Sequence, residues 1–229
     1  FKNKLMKNIA LIPARGGSKG IYRKNIKLFN SKPLIYWTIK TALESKYVDR
    51  VIVSTEDDEI ADIARSFSAE VPFKRPYELA QDSTKGIDTV LHALENLSNV
   101  GNILLLQPTS PLRKTIHINQ IFELRLKYNS DSAVSITPSR KNIDLYYDID
   151  SNNRISPYSK DPKLLPRQQY ATSYTLNGAL YLSTSESILK NKSFISSSTI
   201  GYIMAEEYSI DIDTQFDWDM AEFLMSKSL

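Results

Sequence analysis

The chain has 229 residues, with 29 Lys or Arg against 26 Asp or Glu, two His and no Cys. That length suits one α/β domain with a modest insertion, and the composition excludes disulfides, thiolate metal sites and a multi-histidine zinc centre. A net charge of +3 is too small to point to nucleic acid, no apolar run approaches the roughly 20 residues of a membrane span, and without a signal-peptide pattern a reducing cytoplasm fits.

In chain order the elements read as strand then helix, repeated. The apolar run at 9–12 predicts a buried strand, and a helix follows over 33–45 with Pro33 near its first turn. RVIVS at 50–54 predicts the next strand, and 57–68, opening on Asp57, Asp58 and Glu59, the next helix. A helix over 85–97, a strand over 103–106, a helix over 115–128 and a strand over 132–136 continue the alternation. This order implies a mostly parallel, Rossmann-like sheet with helices on both faces and ligands beyond the carboxyl ends of its strands. His92 and His117 each fall within a helical stretch and read as structural residues. From about Ser139 to Thr175 the rhythm changes to a tyrosine-rich, polar segment without helical period. Two strand-like pieces there, Leu145–Ile149 and Tyr170–Thr175, predict a small β insertion. Its many exposed-looking Tyr and Leu residues predict burial against a partner, hence a homodimer.

Residues 9–25, IALIPARGGSKGIYRKN, carry the strongest chemical signal. A buried strand opens into a loop holding Gly16, Gly17 and Gly20, flanked by Arg15, Lys19, Arg23 and Lys24. Glycines let main-chain N–H groups approach a ligand closely, and cations beside them select polyanions, above all phosphate. The first 43 residues hold ten Lys or Arg and no acid, which concentrates that preference at this strand end. A Walker A loop fails on spacing, because Lys19 is followed by Gly20. The dinucleotide fingerprint fails as well, because Gly16 and Gly17 are adjacent and no acid follows about 20 residues on. Arg23 reads as a solvated charge, and Arg75 and Asp82 as a second basic–acidic loop. Gln107 ends the ILLLQ run, presenting an amide at the ligand edge. Asp211 and Asp213 alternate along an extended segment, so both carboxylates point to one side and supply what Mg²⁺ (or Mn²⁺) takes from a protein. Asp217 and Asp219 read instead as the acidic first turn of a final helix.

IPARGGSKG with KNI, LLLQPTSPLR at 104–113, NGALYL at 177–182 and SIDIDTQFDWDMAE at 209–222 follow one another in an order that resembles the N-acylneuraminate cytidylyltransferases, the CMP-sialic acid synthetases. The resemblance runs from about Asn8 to the C-terminus and implies one nucleotidyltransferase domain over 6–229, with residues about 140–175 as a dimerisation arm reaching toward the partner's site. It implies transfer of CMP from CTP to the anomeric hydroxyl of a nonulosonic acid, with Mg²⁺ and release of pyrophosphate, for cell-surface polysaccharide biosynthesis. In that family's terms Arg15 and Lys19 contact the triphosphate; Gly16, Gly17, Ser18 and Lys24 complete its loop, and Asn25 and Arg75 approach the base. Gln107, Arg167, Asn177, Tyr181 and Phe194 fall on sugar-binding positions, Arg167 being the cation for the sugar carboxylate. Asp211 and Asp213 fall on the metal pair, and the base is either Asp211 or a metal-bound water. The sequence departs from the family at the sugar end. Thr175 and Leu176 stand where a basic residue often precedes N-G-A, Leu145 replaces a lysine with only Lys141 near, and Ile195 replaces an aromatic residue. A less polar pocket of this kind favours a 5,7-diamido nonulosonate over N-acetylneuraminate. The rival readings are a CMP-Kdo synthetase-type enzyme and a non-catalytic sugar-nucleotide-binding module.

Overall fold

The structure is a computed structural model that describes residues 6–227, the side chain of Arg167 excepted. In chain order it contains β1 (Lys7–Pro13), β2 (Leu28–Phe29), β3 (Lys32–Pro33), α1 (Leu34–Leu43), β4 (Arg50–Ser54), α2 (Asp58–Ser66), α3 (Gly86–Asn96) and β5 (Val100–Leu105). There follow α4 (Thr115–Lys127), β6 (Ser132–Pro138), β7 (Tyr147–Ile149), β8 (Ile155–Pro157), β9 (Tyr174–Thr184), α5 (Ser185–Asn191), β10 (Ile200–Ile203) and α6 (Gln215–Lys227). Six strands form one sheet in the order β10-β6-β9-β5-β1-β4. β1 runs parallel to β4 and β5, and β10 parallel to β6, while β9 is antiparallel to both its neighbours.

Alternation along β1 shows why the sheet is covered twice. Ala10 and Ile12 pack with residues of α1, α2 and α4, while Ile9 and Leu11 pack with Val90 and Ala93 of α3 and Ile188 of α5. A third cluster seats α6, through Trp218, Ala221 and Met225, against Phe29 and Leu34. Asp57 caps α2 by accepting from the Ile60 amide at 3.0 Å, and His117 closes the start of α4 by accepting from the Lys114 amide at 3.2 Å. His92 packs edge-to-face on Phe73, so both histidines serve the scaffold.

The sheet differs from the sequence expectation in its second half. β9 inserts an antiparallel strand between β5 and β6, and β10 adds an edge strand to β6. Within the insertion the strand piece near Tyr147 pairs with Ile155–Pro157, placing Ile149 opposite Ile155 in a short hairpin. Tyr170 lies outside any strand, and Tyr174 and Thr175 open β9 instead. Polar patterning concealed β8, whose three residues have nothing but β7 to pair with. Among the described residues no helix is long and apolar enough to cross a membrane.

Candidate active site

β1, β4 and β5 end side by side, and the loops after β1 and β5, with residues between Arg75 and Thr89, wall a cavity of about 610 Å³. The size falls within the range of small-ligand sites. Arg15, Gly17, Ser18, Lys19, Gly20, Lys24 and Asn25 all line it, as do Arg75, Gln107, Asp211 and Asp213. Gly16 is not among the lining residues; its N–H donates to the Glu56 carboxylate at 2.7 Å. Ser18 folds the loop on itself, its hydroxyl donating to the Ile21 carbonyl and accepting from the Lys24 amide.

The cations are held by internal acids. Asp82 stands between Arg15 Nη1 and Lys19 Nζ, each at 2.7 Å, and those two cations hold its carboxyl below the usual range. Arg75 therefore does not pair with Asp82 as a loop of its own; its guanidinium is buried against Glu56 at 2.7 Å, with Nε free of hydrogen-bond partners. Arg23 is not a solvated charge either, since it forms a two-pronged pair with Asp57 at 2.9 and 3.0 Å and reaches Glu59. The Asn25 amide donates to the Arg15 carbonyl at 3.0 Å, tying the two ends of the loop together.

Asp211 and Asp213 flank Ile212, whose amide donates to the Thr109 carbonyl at 2.8 Å. The two carboxylates sit in unequal surroundings. Asp213 is exposed and pairs with Lys24 at 3.1 Å, and the same ammonium reaches the Ile212 carbonyl. Asp211 is half-buried, and its Oδ1 has no hydrogen-bond partner. Desolvation, with a smaller push from Asp213, raises its pKa against the opposing hydrogen bond from Thr109. Gly20 permits this arrangement, because a Cβ there would overlap the Asp213 carbonyl oxygen.

A smaller cavity of about 270 Å³ adjoins the first, and Gln107 and Asp211 line both. Thr175, Leu176, Asn177, Gly178 and Tyr181 form much of its wall, and no Lys or Arg is among its described lining. Asn177 lines it, but its side chain is committed elsewhere. Its oxygen accepts from Ser135 Oγ at 2.5 Å and its amide donates to Ser209 Oγ at 2.9 Å, bracing β9 against β6. Gly178, at φ +75°, bends β9 where its register with β6 shifts, between the Ile136–Leu176 and Val134–Tyr181 pairs. Phe194 stands as a correction, since it lies in the core, 5.7 Å from the Tyr181 ring, and lines neither cavity. An apolar residue with a hydrophobic wall on every side packs inward before it serves a polar ligand. Ile195 is exposed outside both cavities. Arg167 opens a 3₁₀ turn, and its side chain lies outside the described residues.

Two supports escaped sequence reasoning. Glu56 sits in an acidic run that resembles a helix start, so nothing local marks its contacts to Gly16 and Arg75. Arg113 is wholly buried, donating to the carbonyls of Ala179 and Gln107 and to Thr38 Oγ at 2.8, 3.3 and 2.7 Å. Burial lowers its pKa to about 9, which leaves the guanidinium charged at neutral pH. A charge after two prolines reads as a surface turn, and only the tertiary fold reveals it as the brace behind Gln107.

The chain is 38% identical to a CMP-N,N'-diacetyllegionaminic acid synthase of Legionella pneumophila, over 96% of this chain and 97% of that protein. It is 34% identical to an N-acylneuraminate cytidylyltransferase of Escherichia coli over 96% of its own length, but spans about half (52%) of that relative. A solved CMP:2-keto-3-deoxy-manno-octonic acid synthetase in complex with CTP shares the fold, with a TM-score of 0.74 at 18% identity, covering 97% of this chain and 100% of that one. A cytidylyltransferase family profile matches residues 9–224, and the chain belongs to that family.

Proposed function

We propose that this cytidylyltransferase transfers CMP from CTP to the anomeric hydroxyl of a nonulosonic acid, releasing pyrophosphate. The observation that carries the proposal is the pair of adjoining cavities sharing Gln107 and Asp211. The larger is lined by the glycine loop and its cations and takes the nucleotide; the smaller takes the sugar acid, so the reacting atoms meet beside Asp211.

The anomeric oxygen forms a bond to the α-phosphorus as the bond to the pyrophosphate oxygen breaks, and the hydroxyl proton passes to Asp211. Arg15 and Lys19 exchange Asp82 for phosphate oxygens and neutralise the departing pyrophosphate. The partnerless Oδ1 of Asp211 and the nearby Asp213 fit a divalent cation. Among the described residues no group of three or more His, Cys, Asp or Glu could hold a metal ion, so this pair would be the protein's share, leaving waters and phosphate oxygens to supply the rest. Bound there, Mg²⁺ would screen phosphate charge.

Thr175 and Leu176, together with a smaller cavity free of described cations, support a 5,7-diamido acid over N-acetylneuraminate, as does the legionaminic acid synthase relative. Arg167, reaching across a homodimer formed by the insertion, is the proposed cation for the sugar carboxylate. The reaction then takes place in the cytoplasm, where CTP is made, and supplies an activated donor for cell-surface polysaccharide. The test is pyrophosphate release from CTP and Mg²⁺ with a panel of acids. A 5,7-diacetamido nonulosonate is expected to give the highest kcat/KM, ahead of N-acetylneuraminate and of Kdo. Turnover best with Kdo, or with none of the panel, refutes the substrate class.

A further inference from the structure

We propose that Glu56 is a positioning residue that presets the nucleotide cavity, tying the glycine loop and the buried guanidinium of Arg75 to one carboxylate. The argument begins in the sheet. β1 and β4 pair in parallel with Pro13 beside Ser54, and the Ala14 amide donates to the Ser54 carbonyl at 3.0 Å. Two residues further along each chain the two segments are still joined, now through a side chain, as the Gly16 N–H donates to Glu56 Oε1 at 2.7 Å. The other oxygen accepts from Arg75 Nη2 at 2.7 Å, and the Arg75 amide itself donates to the Thr55 carbonyl at 2.9 Å.

The pair is nearly dry, with side-chain exposures of 4% for Arg75 and 14% for Glu56. A flexible loop gains a fixed starting point from such a bond, since the direction of the Gly16 N–H sets where the following backbone donors face. A buried guanidinium likewise stays in place only while its charge is met. Arg75 lines the larger cavity and Glu56 does not, so Glu56 acts through its neighbours. Nor is Glu56 occupied by the helix that follows, because Asp57 caps α2 and holds Arg23. Both oxygens of Glu56 are therefore spent on the base of the glycine loop and on Arg75.

The inference rests on CTP as the nucleotide, and its test separates the two claims. CTP affinity is measured by calorimetry on wild type, Glu56→Gln and Glu56→Asp, alongside the KM for CTP, the KM for the sugar acid, kcat and Tm. A glutamine presents one acceptor and one donor where two donors must be met. Glu56→Gln is expected to weaken CTP binding and raise its KM about 10- to 100-fold, the scale of one charge-assisted hydrogen bond lost from a buried pair. The sugar-acid KM and kcat at saturating CTP should stay within about threefold. Glu56→Asp keeps the charge but is one methylene short of spanning both partners. It should weaken binding several-fold, which keeps the test decisive if the glutamine variant does not fold. CTP affinity at the wild-type value in a folded variant overturns the inference. So does a fall in Tm with both KM values and kcat drifting together, which marks a purely structural role. Wild type that binds CTP without turnover instead refutes the proposed reaction, while the change in affinity still decides the role of Glu56.

Discussion

Gly178→Ala isolates the junction of the two cavities in one methyl group. Gly178 adopts φ +75°, and a Cβ built there lies 2.9 Å from Gln107 Oε1 and 3.2 Å from Asp211 Oδ2. Two costs follow. Holding an L-residue in the left-handed region costs roughly 1–2 kcal/mol, and at 2–4 °C per kcal/mol for a chain of this size the Tm should fall by about 2–8 °C. The methyl group must also push Gln107 and Asp211 outward by a few tenths of an ångström, a fraction of the 1 Å misplacement that costs about 10²-fold in rate. We therefore expect kcat to drop up to about 10-fold while CTP affinity, set on the far side of the cavity by the glycine loop, changes little. Differential scanning calorimetry with initial-rate measurements reads both effects. An alanine variant with wild-type kcat and Tm would refute the placement of Gln107 and Asp211 around this turn.

Four further outcomes follow from the same geometry. Asp211→Asn removes a partly buried carboxylate with a partnerless oxygen, so it should cost 10²-fold or more in rate yet stabilise the ligand-free protein by roughly 1–3 kcal/mol; a loss of both activity and Tm would contradict this. Asp82→Asn frees Arg15 and Lys19 of their internal acid and should tighten inorganic pyrophosphate binding several-fold, unchanged affinity counting against exchange of Asp82 for phosphate. His117, whose pKa burial and the neighbouring Arg113 and Lys114 lower to about 4, favours folding fully above about pH 6.5 and loses that stability as pH falls from there toward 4, by at most about 1.4 kcal/mol per pH unit; His117→Gln should flatten that slope in acid denaturation. Ile149 and Ile155 face each other across the hairpin, each 66% exposed, so the double change Ile149→Asp/Ile155→Asp should convert a dimer to a monomer by light scattering, and a monomeric wild type removes the proposed arm.

The parts of this molecule legible in its sequence are those whose partners are local. The runs at 9–12 and 50–54 became β1 and β4 because buried parallel strands are apolar on both faces, and Asp57 announced the start of α2 as a capping residue does. The glycine loop was readable because backbone conformation and charge density are written into adjacent residues. What stayed hidden depends on distant pairing. Asn177 resembles a ligand-binding amide until Ser135 and Ser209, from other segments, are seen to use it up. Phe194 resembles a pocket wall until the core closes around it. Arg23 reads as a solvated charge because Asp57 and Glu59 lie more than 30 residues away and meet it only through the pairing of β1 with β4. Asp211 and Asp213 were found together by their spacing, but their inequality is a property of burial, which spacing does not encode.

The central claim, that the chain couples two substrates at the junction beside Asp211, is tested most directly by ³¹P NMR of a single reaction mixture. Purified chain, CTP, Mg²⁺ and a 5,7-diacetamido nonulosonic acid should convert the triphosphate resonances into equal amounts of pyrophosphate and a new CMP phosphodiester, with neither product forming when the sugar acid is left out. CTP that stays intact with the acid present, or pyrophosphate that forms without it, would contradict the account.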